Sequence, residues 1–430
     1  MSISDWRKVK LGDVIEINKN SYSAHDNWDY INYLDTGNIT ENRIDSIQYL
    51  DTKSDKIPSR AKRKVNANEI IYSTVRPNQK HYGIIKKPFD NMLVSTGFAV
   101  INGKDELADN GFLYWYLTQE HIVELLHTIG ENSTSAYPSI KPSDIEGLDI
   151  SLPSLPEQKA IAATLSALDD MIELNNKVNK TLEEMAQAIF KSWFVDFEPF
   201  RDGEFEESEL GLIPKGWRVG AIDELIKETI SGDWGKETPQ GNYTEKVICI
   251  RGADIPDIAQ GRRGNPATRY ILKRNLEKKR LSENEIIIEI SGGSPTQSTG
   301  RTVFITKELI NSFQEPIICT NFCRTVRLKE ATYSSFVYSL LQYLYNEKVF
   351  FTYENGTTGI KNLDITTLFG QYKTVIPSEE VFAEYHSMYS EFLRYIYESG
   401  FECKKLSEIR DTLLPKLISG EIRVPVEEVV

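Results

Sequence analysis

The chain is poor in cysteine, with four in 430 residues, at 249, 319, 323 and 403. That is too few for a disulfide framework at this length, and Cys319 and Cys323 stand four apart with no second pair and no nearby histidine. Buried thiols are therefore expected there, not a metal site. Histidine is equally scarce. The five, at 25, 81, 121, 127 and 386, form no His-Glu-x-x-His pair, and His121 and His127 are spaced wrongly to share a helix face. No apolar run approaches the roughly 18–20 residues of a membrane span, and the opening Met1-Ser-Ile-Ser-Asp has no charged-then-apolar leader pattern. The expected setting is a reducing cytoplasm, with no membrane partner. Phosphate-binding Gly-x-x-x-x-Gly-Lys-Ser/Thr is missing; Gly300-Arg-Thr302 has arginine where lysine belongs. Ser291–Gly300 is hydroxyl-rich but lacks dinucleotide-binding spacing. Neither Asn-Pro-Pro-Tyr nor Asp-Pro-Pro-Tyr, which hold an amino group for methylation, occurs.

Positive charge is also short overall, with a net charge of −13. Its distribution matters more than its sum. Residues 1–155 hold 17 basic and 21 acidic residues, and 211–376 hold 22 and 18. Residues 156–210 hold 5 and 13, and 377–430 hold 6 and 11, so these two segments account for the whole deficit. Base-rich stretches stand out in the balanced regions. They are Arg60-Ala-Lys-Arg-Lys64 and, later, Arg262, Arg263, Arg269, Lys273, Arg274 and Lys278-Lys-Arg280.

What the chain does have is a plan stated twice. Leu152-Pro153 heads a Glu-rich amphipathic segment, and Ile376-Pro377 heads another 224 residues later. The shift relates Leu165 to Tyr389, Leu168 to Phe392, Ile172 to Ile396, Leu182 to Leu406, Met185 to Ile409 and Ile189 to Leu413. Upstream, with small gaps, Trp6-Arg7 matches Trp217-Arg218, Glu69-Ile-Ile71 matches Glu285-Ile-Ile287, and Ser95-Thr-Gly-Phe98 matches Cys319-Thr-Asn-Phe322. Solenoid units run to about 20–50 residues; this period means a globular domain plus a long helix, duplicated. Each globular region is mixed α and β. Strands are expected at Glu69–Tyr72, Tyr82–Ile85 and Phe98–Ile101, a short helix after Trp6, and one helix from Phe112 through Leu126. Ser154-Leu-Pro-Glu157 reads as a capping box. Apolar residues then recur at coiled-coil spacing from 161 to 193, interrupted by Asn175 and Asn179, with Ser399 and Cys403 at the matching places. A helix of about 40 residues would be about 60 Å long, a spacer's length. Pro415 and Gly420 should kink or end the second copy.

The basic loops suit binding. Arginine and lysine neutralise phosphates, and Arg, Asn and Gln read base edges bidentately. Arg60, Lys62, Arg63 and Lys64 are candidate phosphate contacts, with Arg76, Asn78, Gln79 and Lys80 near base edges. In the second half Arg262, Arg263, Arg269 and Arg274 are the phosphate candidates and Gln297 and Arg301 the base candidates. Trp193, Phe194 and Phe197 either dock the helix end on its own domain or form a partner-binding patch. Two rival functions remain open. Asp257 and Glu277, with Lys279, have the residue types of a metal-dependent nuclease, and the helices alone would serve a coiled-coil protein adaptor.

Several stretches together resemble the specificity subunit of Type I restriction–modification systems. They are Ile150-Ser-Leu-Pro-Ser-Leu-Pro-Glu-Gln158 with Ile172-Glu-Leu-Asn-Asn-Lys177, Leu182-Glu-Glu-Met-Ala-Gln-Ala-Ile-Phe190 with Trp193-Phe-Val-Asp-Phe197, and Gly211-Leu-Ile-Pro-Lys-Gly-Trp217. Leu406 to Glu421 looks like the family's C-terminus, and Ser59-Arg-Ala-Lys-Arg63 with Ser73-Thr-Val-Arg-Pro-Asn78 like a target-recognition loop set. The second half lacks the Arg-Pro-Asn loop. The resemblance implies an α+β chain: two mixed α/β target-recognition domains in pseudo-two-fold tandem repeat, separated by two long helices pairing as an antiparallel coiled coil. The implied boundaries are 1–153 and 199–376 for the recognition domains, 154–198 for the central spacer helix, and 377–430 for the C-terminal spacer helix and tail. It further implies that each domain binds one half of a bipartite site in double-stranded DNA. The helices would set the gap and dock two methyltransferase subunits, which motor–nuclease subunits join in the full complex. The chain itself is expected to be non-catalytic and to hold no cofactor; S-adenosylmethionine, ATP and Mg belong to the partner subunits.

Overall fold

A computed structural model describes residues 6–23, 25–133, 137–292, 297–356 and 361–425. The chain forms two compact units, one of residues 1–170 with 406–430 and one of residues 171–405.

In the first unit an antiparallel sheet has the order Ile15–Ile17, Phe98–Gly103, Glu69–Ser73, Tyr82–Ile85. All five residues of Glu69–Ser73 are buried, so its centre reads as an apolar run, Ile70-Ile-Tyr72, and not as an alternation. A second sheet has the order Gln48–Asp51, Tyr30–Leu34, Met92–Ser95, Ala61–Lys64, with Tyr30–Leu34 and Met92–Ser95 parallel. Arg7–Lys10 closes the unit by pairing antiparallel with Asp149–Leu152. The residues after Trp6 therefore make a strand first, and only a single helical turn, Leu11–Val14, follows. The helix expected from Phe112 through Leu126 is two, Asn110–Leu117 and Glu120–Glu131, and Leu125 is exposed. The Asp109 carboxylate caps the first by accepting from the Phe112 amide at 3.0 Å.

The second unit repeats this wiring. Ile226–Ser231, Cys323–Leu328, Ile286–Glu289 and Thr302–Phe304 form the antiparallel sheet. Ala267–Leu272, Tyr243–Ile250 and Ile317–Cys319 form the second, its last two strands parallel. Arg218–Ala221 pairs with Lys373–Ile376 as the closing ladder. The duplication holds at single residues. Ile70 faces Ile101 as Ile286 faces Val326, and the carboxylates of Glu69 and Glu285 each cap the turn in front, accepting from the amides of Asn66 (2.7 Å) and Ser282 (2.9 Å). One expected match slips. Ser73 pairs with Phe98 and Glu289 with Cys323, so Phe98 corresponds to Cys323 and Phe322 is an inserted residue. Phe98 is buried, whereas Phe322 is 53% exposed.

Two helices of 40 residues, Leu155–Phe194 and Glu379–Ile418, supply segments to both units. Within the first unit Asp169 pairs with Arg410 at 2.5 Å and Glu157 with Arg423 Nη2 at 2.9 Å, so the segments run antiparallel. Glu157 also accepts from Trp6 Nε1 at 3.3 Å. The carboxylate read as half of a capping box instead ties the helix start to both ends of the chain. Within the second unit the Asn179 amide donates to Ile396 O (3.0 Å), Ser399 Oγ to Asn175 O (3.5 Å) and Cys403 Sγ to Ile172 O (3.7 Å). A shift of 224 carries 179 to 403, 172 to 396 and 175 to 399. The contacts are thus reciprocal about a pseudo-dyad at Asn175 and Ser399. Pro415 lies inside the second helix without ending it; the end comes at Ile418, before Gly420 in the left-handed region (φ +76°). No helix among the described residues is long and apolar enough to cross a membrane.

Candidate nucleic-acid interface

In the first unit the basic run forms the edge strand Ala61–Lys64, an addition with no counterpart among the described residues of the second unit. The Thr96–Gly97 turn brings the two candidate stretches together. The Thr96 amide donates to Arg60 O and the Thr74 amide to Gly97 O, both at 2.8 Å. Arg60 and Lys62 are exposed, and Arg63 is half-buried with an unpaired Nε. Lys64 is ion-paired with Asp26 and lies 5.3 Å from the Trp28 ring centroid, a structural engagement. Near Arg60, burial raises the Asp35 carboxyl, but bonds from the Thr36 amide, Tyr33 and Ser95 outweigh it, and the net shift is downward.

The loop after Glu69–Ser73 carries the base-edge candidates. Arg76 and Lys80 are both left-handed (φ +49° and +56°) and flank a one-turn helix, Pro77–Gln79, on which Asn78 and Gln79 are exposed. Lys80 is held between Glu120 (2.9 Å) and Glu41 (3.4 Å), and its bond to Glu120 raises its pKa. Arg76 rests on the Tyr137 ring, 4.7 Å from its centroid.

In the second unit most candidate cations are already engaged. Arg262 binds Asp257 at 2.6 Å, Arg263 lies 4.4 Å from the Phe313 ring centroid, and Arg269 lies 3.9 Å from that of Trp234 and pairs with Glu237 at 3.3 Å. Arg274 is exposed on the short helix Lys273–Lys279, beside Lys273 and Lys278. Arg301 forks onto the Glu289 carboxylate at 2.6 and 2.9 Å, at the root of its loop. Glu289 is 4% exposed, so this arginine neutralises a buried charge. Gln297 is exposed and donates to Tyr345 Oη at 3.3 Å; residues 293–296 of its loop lie outside the described set.

The aromatic group at 193–197 packs on its own unit. Phe194 is buried, 4.9 Å from the rings of Phe336 and Tyr385, while Trp193 and Phe197, partly buried, meet Tyr385 and Trp217 at 5.9 and 5.7 Å. Only Trp193 and Phe197 keep surface for a partner. Of the nuclease pair, Asp257 serves Arg262 and Glu277 is exposed on a separate helix. No group of three metal-binding side chains occurs among the described residues. All four cysteines are buried thiols outside any disulfide, and burial pushes that of Cys319 up to about 11.

Sequence reasoning passed over Tyr137 and Asn362, which lie against the two candidate loops. A signal was available. Glu131-Asn-Ser-Thr134 precedes the first and Glu354-Asn-Gly-Thr357 the second, a further trace of the duplication.

Two α+β units of the same wiring apart from the edge strand Ala61–Lys64, each with a polar loop at the same strand end, define a duplicated scaffold. A family model described as the Type I restriction modification DNA specificity domain matches residues 3–184. The Type I restriction enzyme MjaIX specificity subunit of Methanocaldococcus jannaschii is 31% identical over 82% of this chain and 78% of its own length. The HindI specificity subunit of Haemophilus influenzae is 26% identical over 98% of this chain and 100% of its own. A crystal structure of a Type I restriction–modification S subunit from M. genitalium, 16% identical and covering 96% of both chains, shares the fold with a TM-score of 0.57. The chain belongs to the specificity subunits of Type I restriction–modification systems. It is a DNA-recognition component and not an enzyme.

Proposed function

We propose that each unit reads one half of a bipartite, asymmetric site in double-stranded DNA and that the two long helices set the gap between the halves. The observation that carries this is the duplication of the sheet wiring with different loops at the same strand end. The same strand end bears Thr74–Lys80 in one unit and Ile290–Arg301 in the other, so one scaffold presents two different side-chain sets. The recognition domains comprise residues 1–153 and 199–376, and the spacers 154–198 and 377–430. Arg60, Lys62 and Arg63 take phosphates of the first half-site, with Arg76, Asn78 and Gln79 at base edges. Arg263 and Arg274 take phosphates of the second, with Gln297 at a base, while Arg269 is held by Glu237 and the Trp234 ring. Lys64, Lys80, Arg262 and Arg301 hold the loops by their ion pairs.

The acidic helices dock two methyltransferase subunits, with Trp193 and Phe197 at the contact, and motor–nuclease subunits complete the assembly. S-adenosylmethionine, ATP and Mg act in those subunits. Single-molecule methylome sequencing of a host expressing this chain with its methyltransferase subunit tests the reading. The expected result is a split motif with a fixed gap that disappears when the chain is deleted. Methylation unchanged by the deletion, with both subunits expressed and associated, would overturn it.

A further inference from the structure

We propose that each recognition face is built from two chain segments, in which Tyr137 positions Arg76 in the first unit and Asn362 reads a base edge in the second. The proposal rests on the bipartite reading above and extends it to residues outside the loops.

The backbone carries the case. After Ser73 the chain does not leave the sheet end alone. Thr74 O accepts from the Ile140 amide at 2.8 Å, Val75 bridges Ser139, and the Arg76 amide donates to Pro138 O at 2.8 Å. After Glu289, which holds the same place in its own sheet, the pattern returns. Ile290 O accepts from the Leu363 amide at 2.9 Å, Ser291 pairs with Asn362, and Gly292 pairs with Lys361. The two loops share almost no sequence, yet each is backed by a segment from 62 or more residues further on. Main-chain bonds do not depend on side-chain identity, so the annex survives divergence while its side chains are free to vary.

Those side chains suit recognition. Tyr137 is 58% exposed, a poor place for a ring whose only task is packing. It lies under the Arg76 guanidinium, on a residue whose left-handed backbone is unusual for a non-glycine. Stacking on a ring fixes the guanidinium plane without using its N–H donors, which is the arrangement a bidentate contact to guanine needs. Asn362 is exposed, and its Oδ1 is bonded by Ser291 Oγ. That bond orients the amide and leaves Nδ2 for an acceptor on a base edge.

The test compares methylome motifs from hosts carrying the methyltransferase subunit with the full chain, its Tyr137→Ala, Tyr137→Phe and Asn362→Ala variants, and Arg76→Ala as the reference for the first half-site. Tyr137→Ala is expected to relax one base pair of the half-site that Arg76→Ala alters, about five- to a hundredfold, and to leave the other half-site unchanged. Tyr137→Phe keeps the ring and should restore the parent motif. Asn362→Ala should relax only the opposite half-site. Because both residues are exposed, the untouched half-site serves as the internal control for folding and assembly. A parent motif retained by both alanine variants, or a uniform loss of methylation in Tyr137→Ala and Tyr137→Phe alike, would overturn the proposal. If the parent chain itself gave no split motif, the bipartite reading would have failed instead.

Discussion

Arg301 and Arg274 are both DNA-contact candidates in the sequence, and their surroundings make them opposites. Arg274 stands exposed on a short helix, whereas Arg301 neutralises the buried Glu289. Removing one partner of a buried pair leaves an uncompensated charge. Arg301→Ala should therefore destabilise the chain by about 3 kcal/mol, the lower end for such pairs because the guanidinium is partly exposed; urea unfolding of the purified chain measures this. His386 gives a pH signature. Its ring lies 2.9 Å from Ser335 Oγ, and burial lowers its pKa. The folded state thus disfavours the proton that the unfolded chain takes up near about pH 6.5. The contribution is fully present above that pH and lost as pH falls through the depressed folded value. Thermal midpoints measured from pH 7.5 down to 5 should fall, and the fall should flatten in His386→Gln. Neither environment was legible in the sequence. Glu289 and Arg301 sit in a run of mixed polarity, and nothing local says that the strand end is buried or that Ser335 and His386 meet 51 residues apart.

The elements were easier to read than their ends. The 3–4 apolar spacing gave both long helices, because a seam of that period has few other solutions. It could not say that Glu157 would serve Trp6 and Arg423, since those partners lie 151 and 266 residues away. Nor could it show how the second unit grips its helix segments. Gly261 is left-handed (φ +75°), and a Cβ there would strike the Ile396 carbonyl and Tyr397 backbone. Asn179 donates to Gln260 O at 3.2 Å beside it. Gly261→Ala should cost about 1–2 kcal/mol for its backbone conformation alone and more for the collision. Gly241→Ala, also left-handed (φ +55°) but with open space around it, should show only the conformational part. Thermal unfolding of the two variants side by side checks the difference.

At the scale of the molecule the duplication was visible because helix periodicity and a few strand motifs survive at one spacing. The divergent loops hid the rest, and the insertion of Phe322 misaligned a motif that matched by eye. The net charge of −13 is likewise a poor guide to binding, since the deficit lies in the two helix-bearing segments. If local phosphate contacts govern DNA affinity, Arg274→Ala in the assembled complex should weaken all sequences alike and lower the slope of log affinity against log salt by about one. An unchanged slope, measured by titration at several salt concentrations, would remove Arg274 from the interface.

The reciprocal contacts about Asn175 and Ser399 have a bearing on descent. The three reciprocal bonds are accepted by main-chain carbonyls, at Ile172, Asn175 and Ile396, and beside them Asn175 donates to the Glu402 carboxylate at 2.9 Å. Any residue supplies a carbonyl, so at these positions the constraint falls on the donors, the side chains of Asn179, Ser399 and Cys403. Duplication thus leaves its mark as paired donors at one spacing, 179 and 403, while the residues that accept from them are free to change identity.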